Sequence, residues 1–387
     1  MSSRVFLVAA EESGDRLGAA LLAALRKERP GLSASGVGGA HMAAQGVTSL
    51  FDTAALAIIG FTEIPAKLPM ILARIRETVD AIVAQRPDVL IIIDSPDFSH
   101  RVARRVRKAA PHIPIINYAP PSAWAWRPGR ARAMRGYIDE VLAILPFEPD
   151  AFARLSGPHC TYVGHPLAER VTALRPRPED ARRRLADPPV VLVLPGSRGS
   201  EIRRLTAIFG DAIARAAANA GPFDLVLPTL PHIAARVRAA TNSWPIRPRI
   251  VVDPAEKDAA FRTARAALAA SGTVTLELAL AQVPMVAAYR IPAWEGWLFR
   301  MMTTLTTVNL ANLTIGENVV PEYLQTDCRP DRLASGLVML LGDAPERRRQ
   351  IEAFGRLDAI MQLSGEPPSQ RAARAVLDVL NRTGGAT

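Results

Sequence analysis

Short apolar runs alternate along the chain with segments whose apolar residues recur every three or four positions. Residues 5–10 form the first run, and Leu17, Leu21, Leu22 and Leu25 then fall on one helical face. Residues 89–93, 113–118 and 141–145 repeat the alternation. After a charged, proline-containing stretch at 175–189 it starts again with 190–194, 225–227, 250–252, 266–270 and 285–288. Strands that are apolar on both sides, separated by helices, predict a parallel sheet covered on both faces. Two such series predict an α/β protein of two Rossmann-like, doubly wound domains, over residues 1–170 and 171–345. The linker is expected around 166–188. From Pro330 onward the pattern is helical, with Leu333, Leu337, Leu340 and Leu341 on one face. Residues 346–387 are expected to pack as helices on the N-terminal half or on a partner chain.

Composition narrows the picture. A chain of 387 residues exceeds the usual size of a single core, and 49% apolar residues suffice for two. The net charge is +10, and only Lys27, Lys67, Lys108 and Lys257 are lysines, so arginine carries the excess. Such a surface attracts phosphates and anionic lipid. Aromatics at 5% do not interleave with basic residues, and no helix-turn-helix or zinc-finger signal occurs, which disfavours nucleic acid. Cys160 and Cys328 stand apart, as in proteins of reducing compartments. No signal-peptide pattern opens the chain, and no apolar run reaches the ~18–20 residues of a spanning helix. A cytoplasmic protein, or one resting on a membrane without crossing it, is expected.

Ligands of doubly wound sheets bind beyond the carboxyl ends of the strands, so the loops after the apolar runs are the candidates for chemistry. The first holds Glu11, Ser13, Gly14 and Asp15. It reads either as a capped turn, with Ser13 or Asp15 as cap, or as a substrate contact through Glu11. The second is Asp94-Ser95-Pro96-Asp97-Phe98. A carboxylate ending a buried strand is partly desolvated, which suits Asp94 to general-base work, unless it only braces the turn while Asp97 caps a helix. The third, residues 119–127, carries Trp124 and Trp126 behind two prolines and ahead of several arginines. It fits either a sugar, acyl or phosphate contact or a packed loop.

In the second half, Gly196-Ser197-Arg198-Gly199 lies between a strand and an amphipathic helix. Helix N-terminal N–H groups with an added arginine make an anion site. Ser271-Gly272-Thr273 repeats that arrangement, and Glu277 one turn later is placed either to accept ribose hydroxyls or to complement the helix dipole. Neither loop is a GxGxxG fingerprint or a Walker A sequence, and no Gly-x-Ser-x-Gly elbow occurs. His165 stands alone and reads as structural. Without clustered His/Cys spacing, neither metal nor cofactor is expected. Ile64, Leu68, Ile71 and Leu72 share a helical face flanked by Lys67, Arg74 and Arg76, which suits either an anionic bilayer or a protein core.

Taken in order, several segments resemble the lipid-A-disaccharide synthase family along essentially the whole chain. They are Glu11-x-Ser13-Gly14-Asp15, Ile93-Asp94-x-Pro96-Asp97-Phe98, Pro121-Ser122-x-Trp124-Ala125-Trp126, Leu145-Pro146-Phe147-Glu148, Gly164-His165, Leu194-Pro195-Gly196-Ser197-Arg198, Ser271-Gly272-Thr273 and Asn312-Leu313. The resemblance implies a GT-B-like, inverting, metal-independent transferase. The substrates it implies are UDP-2,3-diacylglucosamine and 2,3-diacylglucosamine 1-phosphate, and the products are the β-1′,6-linked disaccharide 1-phosphate and UDP. It further implies a peripheral enzyme on the inner face of the inner membrane, and a homodimer exchanging C-terminal segments. By position, Asp94, Glu11 and Arg198 would be catalytic, with Asp94 as base. Gly196, Ser197, Arg198, Ser271, Gly272, Thr273, Glu277, Asn312, Glu322 and Gln325 would hold the nucleotide sugar. Ser13, Gly14, Asp97, Ile64, Leu68, Ile71, Leu72, Trp124 and Trp126 would face the acceptor or the membrane. Ala10 and Ala311 depart from the family's usual glycine and proline. The competing expectations are another UDP-sugar enzyme, such as a UDP-sugar 2-epimerase, and a non-enzymatic basic membrane- or nucleic-acid-binding protein.

Overall fold

The computed structural model describes residues 3–53, 64–126, 128–292 and 307–384. The chain divides into two compact units, residues 1–168 with 365–387, and residues 169–364. Each is built on its own six-stranded parallel sheet.

The first sheet comprises β1 (Arg4–Ala9), β2 (Ser33–Val37), β3 (Val89–Ile93), β4 (Ile115–Tyr118), β5 (Glu140–Ala143) and β6 (His159–Tyr162), in the order β2-β1-β3-β4-β5-β6. β3 explains why the apolar runs are continuous. Leu90 and Ile92 point to one face, where Ile75, Val79, Val102 and Val106 meet them. Val89, Ile91 and Ile93 point to the other, against Leu21, Leu22 and Leu25. Alternate side chains leave opposite faces of a strand, so helices on both sides demand apolar residues at every position. Truncating one, as in Ile92→Ala, would cost about 2–5 kcal/mol.

The second sheet comprises β7 (Val190–Leu194), β8 (Asp224–Pro228), β9 (Arg249–Val251), β10 (Ala266–Ala270), β11 (Met285–Tyr289) and β12 (Glu322–Leu324), in the order β12-β11-β10-β7-β8-β9. This is the strand order of Rossmann folds. Ile202, Leu205, Phe209 and Ile213 of the helix Gly199–Ala220 pack into the core beside Leu333, Leu337 and Leu340 of the helix Pro330–Leu341.

The C-terminal segment is shared out. The helices Pro345–Gly355 and Leu357–Ile360 belong to the second unit, and only residues 365–387 belong to the first. There the helix Pro368–Gly384 buries Ala372, Ala373, Val376, Val379 and Leu380 with Leu21 and Leu25 of the helix Glu12–Glu28. Gly164, at φ +97°, leaves room for the Arg371 guanidinium that any side chain would strike. His165 next to it is buried, its pKa pulled down to about 4 by that burial, and its Nδ1 accepts the Leu167 N–H.

Each sheet has one point where successive crossovers leave in opposite directions, between β1 and β3 in the first and between β7 and β10 in the second. Such switch points open a crevice at the carboxyl ends of the strands.

Candidate active site

At the first switch point, Asp94 follows β3 and the helix Glu12–Glu28 follows β1. Asp94 is half-buried, and both of its oxygens are engaged. Oδ2 accepts the Ser13 hydroxyl at 2.6 Å, and Oδ1 accepts the Ser95 N–H at 2.8 Å. Asp94 and Ser95 both adopt left-handed backbone, at φ 51° and 45°. Two consecutive non-glycine residues there are a strained turn of the kind that gathers at functional sites. The Ser99 hydroxyl secures the turn by donating to the carbonyls of Asp94 and Ser95.

Glu11 is the exposed N-cap residue of the helix Glu12–Glu28, and Asp97 is exposed in the first turn of the helix Pro96–Ala109. Neither Ser13 nor Asp15 caps the helix they belong to. Asp15 is buried and accepts N–H bonds from Gly39, His41 and Met42, so it caps the helix Ala40–Ala44 instead. The sequence could not indicate this, because the partner lies 24 residues away.

The loop after β4, next to β3 in the sheet, brings in Trp124. Its indole N–H donates to Glu148 at 3.1 Å, and its ring meets Phe147 edge-on at 4.8 Å. Glu148 is almost wholly buried and also accepts the Ile144 and Leu145 N–H groups. Burial pushes its pKa up to about 7, although these hydrogen bonds favour the ionised form. No role attached to Glu148 in the sequence. A carboxylate opening a short helix reads as a dipole partner, and its burial is tertiary. The Trp126 side chain lies outside the described residues.

At the second switch point, a cleft of about 330 Å³ is lined by Gly196, Ser197, Arg198, Ser271, Gly272, Thr273 and Glu277, with Thr229, Leu230, Lys257 and Phe261 beyond them. The two loops following β7 and β10 thus converge on one cavity. Gly196, at φ +109°, is required, since a Cβ there would strike the Glu201 side chain. Glu201 folds back so that its carboxylate accepts the Ser197 and Arg198 N–H groups and the Tyr289 hydroxyl. The expected anion cradle is therefore partly filled by the chain's own carboxylate. A glutamate three residues after the N-cap is a capping-box signal that the sequence does carry. Arg198 is 78% exposed and touches Glu201 at only 3.4 Å, so its charge remains available to a ligand. Glu277 lines the cleft, with a pKa raised by burial and opposed by the Arg170 ion pair at 3.1 Å.

Asn312, Glu322 and Gln325 do not line this cleft. Asn312 is buried, with Oδ1 accepting the Val319 and Val320 N–H groups and Nδ2 donating to Thr307 and Val320. Glu322 accepts the Ser271 hydroxyl at 2.7 Å, and its other oxygen accepts Thr307 and Val308. Gln325 accepts the Ile291 N–H. Of the three, Glu322 bears directly on a cleft residue.

The helix Ile64–Gln85 buries Ile75, Val79 and Ile82 in the first unit's core, while Leu68 and Leu72 are exposed and Ile71 is half-buried. The Arg74 guanidinium lies over the Phe51 ring and pairs with Glu77. Residues 61–63 and the Ile64 side chain lie outside the described residues. Among the described residues no helix is long and apolar enough to cross a membrane.

The model of the family described as lipid-A-disaccharide synthetase matches residues 5–376. A lipid-A-disaccharide synthase of Rhodopseudomonas palustris strain HaA2 is 57% identical over 380 residues, covering 98% of this chain and 97% of its own. One of Rhodospirillum centenum is 43% identical over 381 residues, covering 98% and 95%. Among solved structures, the glycotransferase of kitacinnamycin aligns with a TM-score of 0.64 at 18% identity, over 98% of this chain and 99% of its own. The calicheamicin glycosyltransferase CalG4 aligns with a TM-score of 0.60 at 17% identity, over 99% of each. The UDP-GlcNAc 2-epimerase of Neisseria meningitidis, bound to UDP-GlcNAc, aligns with a TM-score of 0.56 at 11% identity, over 99% of this chain and all of its own. At these identities the structures bear on the fold alone, which is the GT-B-like architecture.

Proposed function

The chain belongs to the lipid-A-disaccharide synthetase family and is a glycosyltransferase of lipid A synthesis, and from that premise we propose that it joins UDP-2,3-diacylglucosamine to 2,3-diacylglucosamine 1-phosphate. The carrying observation is the pair of switch-point sites, one presenting the carboxylate of Asp94 and the other an exposed arginine over a cleft. Asp94 removes the proton of the acceptor's 6-hydroxyl. That oxygen bonds to the donor's anomeric carbon as the bond to UDP breaks, with inversion, and UDP leaves with new charge on its β-phosphate. Arg198 meets that charge, and the Ser197–Thr273 side of the cleft holds the diphosphate. One preorganised donor of this kind is worth ~3 kcal/mol of barrier, or ~10²–10³ in rate. Glu277 accepts ribose hydroxyls. Glu11 and Asp97 line the acceptor's approach. The exposed Leu68 and Leu72, with the arginine excess, suit acyl chains and an anionic inner-membrane surface.

The test offers the purified protein both acylated precursors and records the product by mass spectrometry. A tetraacyl disaccharide 1-phosphate should form from acylated donor, in the presence of EDTA, and not from UDP-N-acetylglucosamine. Equal use of the unacylated donor, or its epimerisation, would replace this reading with that of a UDP-sugar 2-epimerase.

A further inference from the structure

Ser13 holds a hydrogen bond whose consequence lies outside substrate contact. Its hydroxyl donates to Asp94 Oδ2 at 2.6 Å, a short hydrogen bond. The chain reaches this contact by a specific route. Gly14 lets the first turn of the helix Glu12–Glu28 press on the end of β3, where an added Cβ would lie 3.3 Å from the Ile93 carbonyl oxygen and 3.5 Å from the Asp94 Cβ. The left-handed turn at Asp94 and Ser95 swings the carboxylate toward that helix. A carboxylate offers about four lone-pair sites, so one bond to each oxygen leaves room for a substrate hydroxyl.

From this geometry we infer that Ser13 is a positioning residue, which fixes the Asp94 carboxylate in its proton-accepting orientation. The inference rests on the reading of Asp94 as base. Without the Ser13 bond, Asp94 could rotate about its side-chain torsions. Glu12 pairs with Arg16, Asp15 is held by three backbone N–H groups, Glu11 is an exposed N-cap residue and Asp97 is exposed in the first turn of its helix. Residues 119–126, in the loop after β4, carry no titratable side chain.

The experiment compares kcat and KM of wild type, Ser13→Ala, Ser13→Thr and Asp94→Asn, with both acylated substrates. Ser13→Ala should lower kcat roughly tenfold, the worth of one hydrogen bond to a charged group, and leave both KM values within about twofold. Ser13→Thr, which keeps the hydroxyl, should restore most of the wild-type kcat. In an Asp94→Asn background Ser13→Ala should add no further loss. Wild-type kcat in a folded Ser13→Ala enzyme, a loss that Ser13→Thr does not restore, or an equal loss in the Asp94→Asn background, would overturn the inference. Near-normal turnover by Asp94→Asn alone would instead remove the base assignment beneath it.

Discussion

The two switch points share a topology and differ in charge. Between β1 and β3 the loops present hydrogen-bond acceptors, with Asp94 oriented by Ser13 and Ser95, and Glu11 and Asp97 beside it at helix starts. Between β7 and β10 they present a cleft with an exposed arginine, a lysine and several hydroxyls. Parallel strands with reversed crossovers open a crevice in either case. What the crevice can bind follows from which side chains end the strands. A carboxylate after Ile93 offers an acceptor for a proton, and glycine, serine and arginine after Leu194 offer groups that suit an anion, as the proposed function requires. The cleft also carries its own counterweight. Glu201 occupies two backbone N–H groups that a phosphate would use, so the proposed diphosphate would have to move that carboxylate or sit beside it.

The largest expected effect falls on the acidic crevice. Asp94→Asn should lower kcat by about 10³-fold, within the usual contribution of general-base catalysis, and leave UDP affinity unchanged by calorimetry. Parallel losses of turnover and UDP binding would erase the division of labour between the crevices. On the cationic side, Arg198→Ala should lower kcat/KM by ~10²-fold and weaken UDP binding. Arg198→Lys should restore only part, because an ammonium lacks the planar fork. Unchanged UDP affinity in Arg198→Ala would mean that the diphosphate lies elsewhere.

The smallest effect concerns Glu148 under Trp124. Its carboxyl pKa is raised by burial from 4.5 to about 7, so the fold favours the protonated form. The stability this contributes is complete below pH 4.5 and is lost as pH rises toward 7. Melting temperatures of wild type should therefore decline across pH 4.5–7 more steeply than those of Glu148→Gln. Identical slopes would show that Glu148 does not titrate in that window, and would confine the acidic chemistry of this unit to Asp94 and its exposed neighbours.

Most of the strands that were legible are buried on both faces, the edge strand β9, met by the run 250–252, being the exception. β1, β3, β7 and β10 are wholly or almost wholly buried and read as unbroken apolar runs. β2, β6 and β12 went unread, and all three lie at sheet edges. Ser-Ala-Ser-Gly-Val, His-Cys-Thr-Tyr and Glu-Tyr-Leu need not be apolar, because an edge strand is covered on fewer sides. The site divides in the same way. Asp94, Ser197, Arg198 and Ser271 announce themselves by following apolar runs. The pairing of Ser13 with Asp94 spans 81 residues, that of Trp124 with Glu148 spans 24, and that of Ser271 with Glu322 spans 51.

Local order in the chain was enough to specify two doubly wound sheets, the loops that end their strands and the charge each loop carries, because hydrophobic period and turn chemistry are short-range properties. Tertiary structure alone decided that Asp15 caps a distant helix. It also decided that the chain's end returns to the first unit. Each of these depends on which strands become neighbours, and strand order is set by burial summed over the whole sheet, which no local window contains.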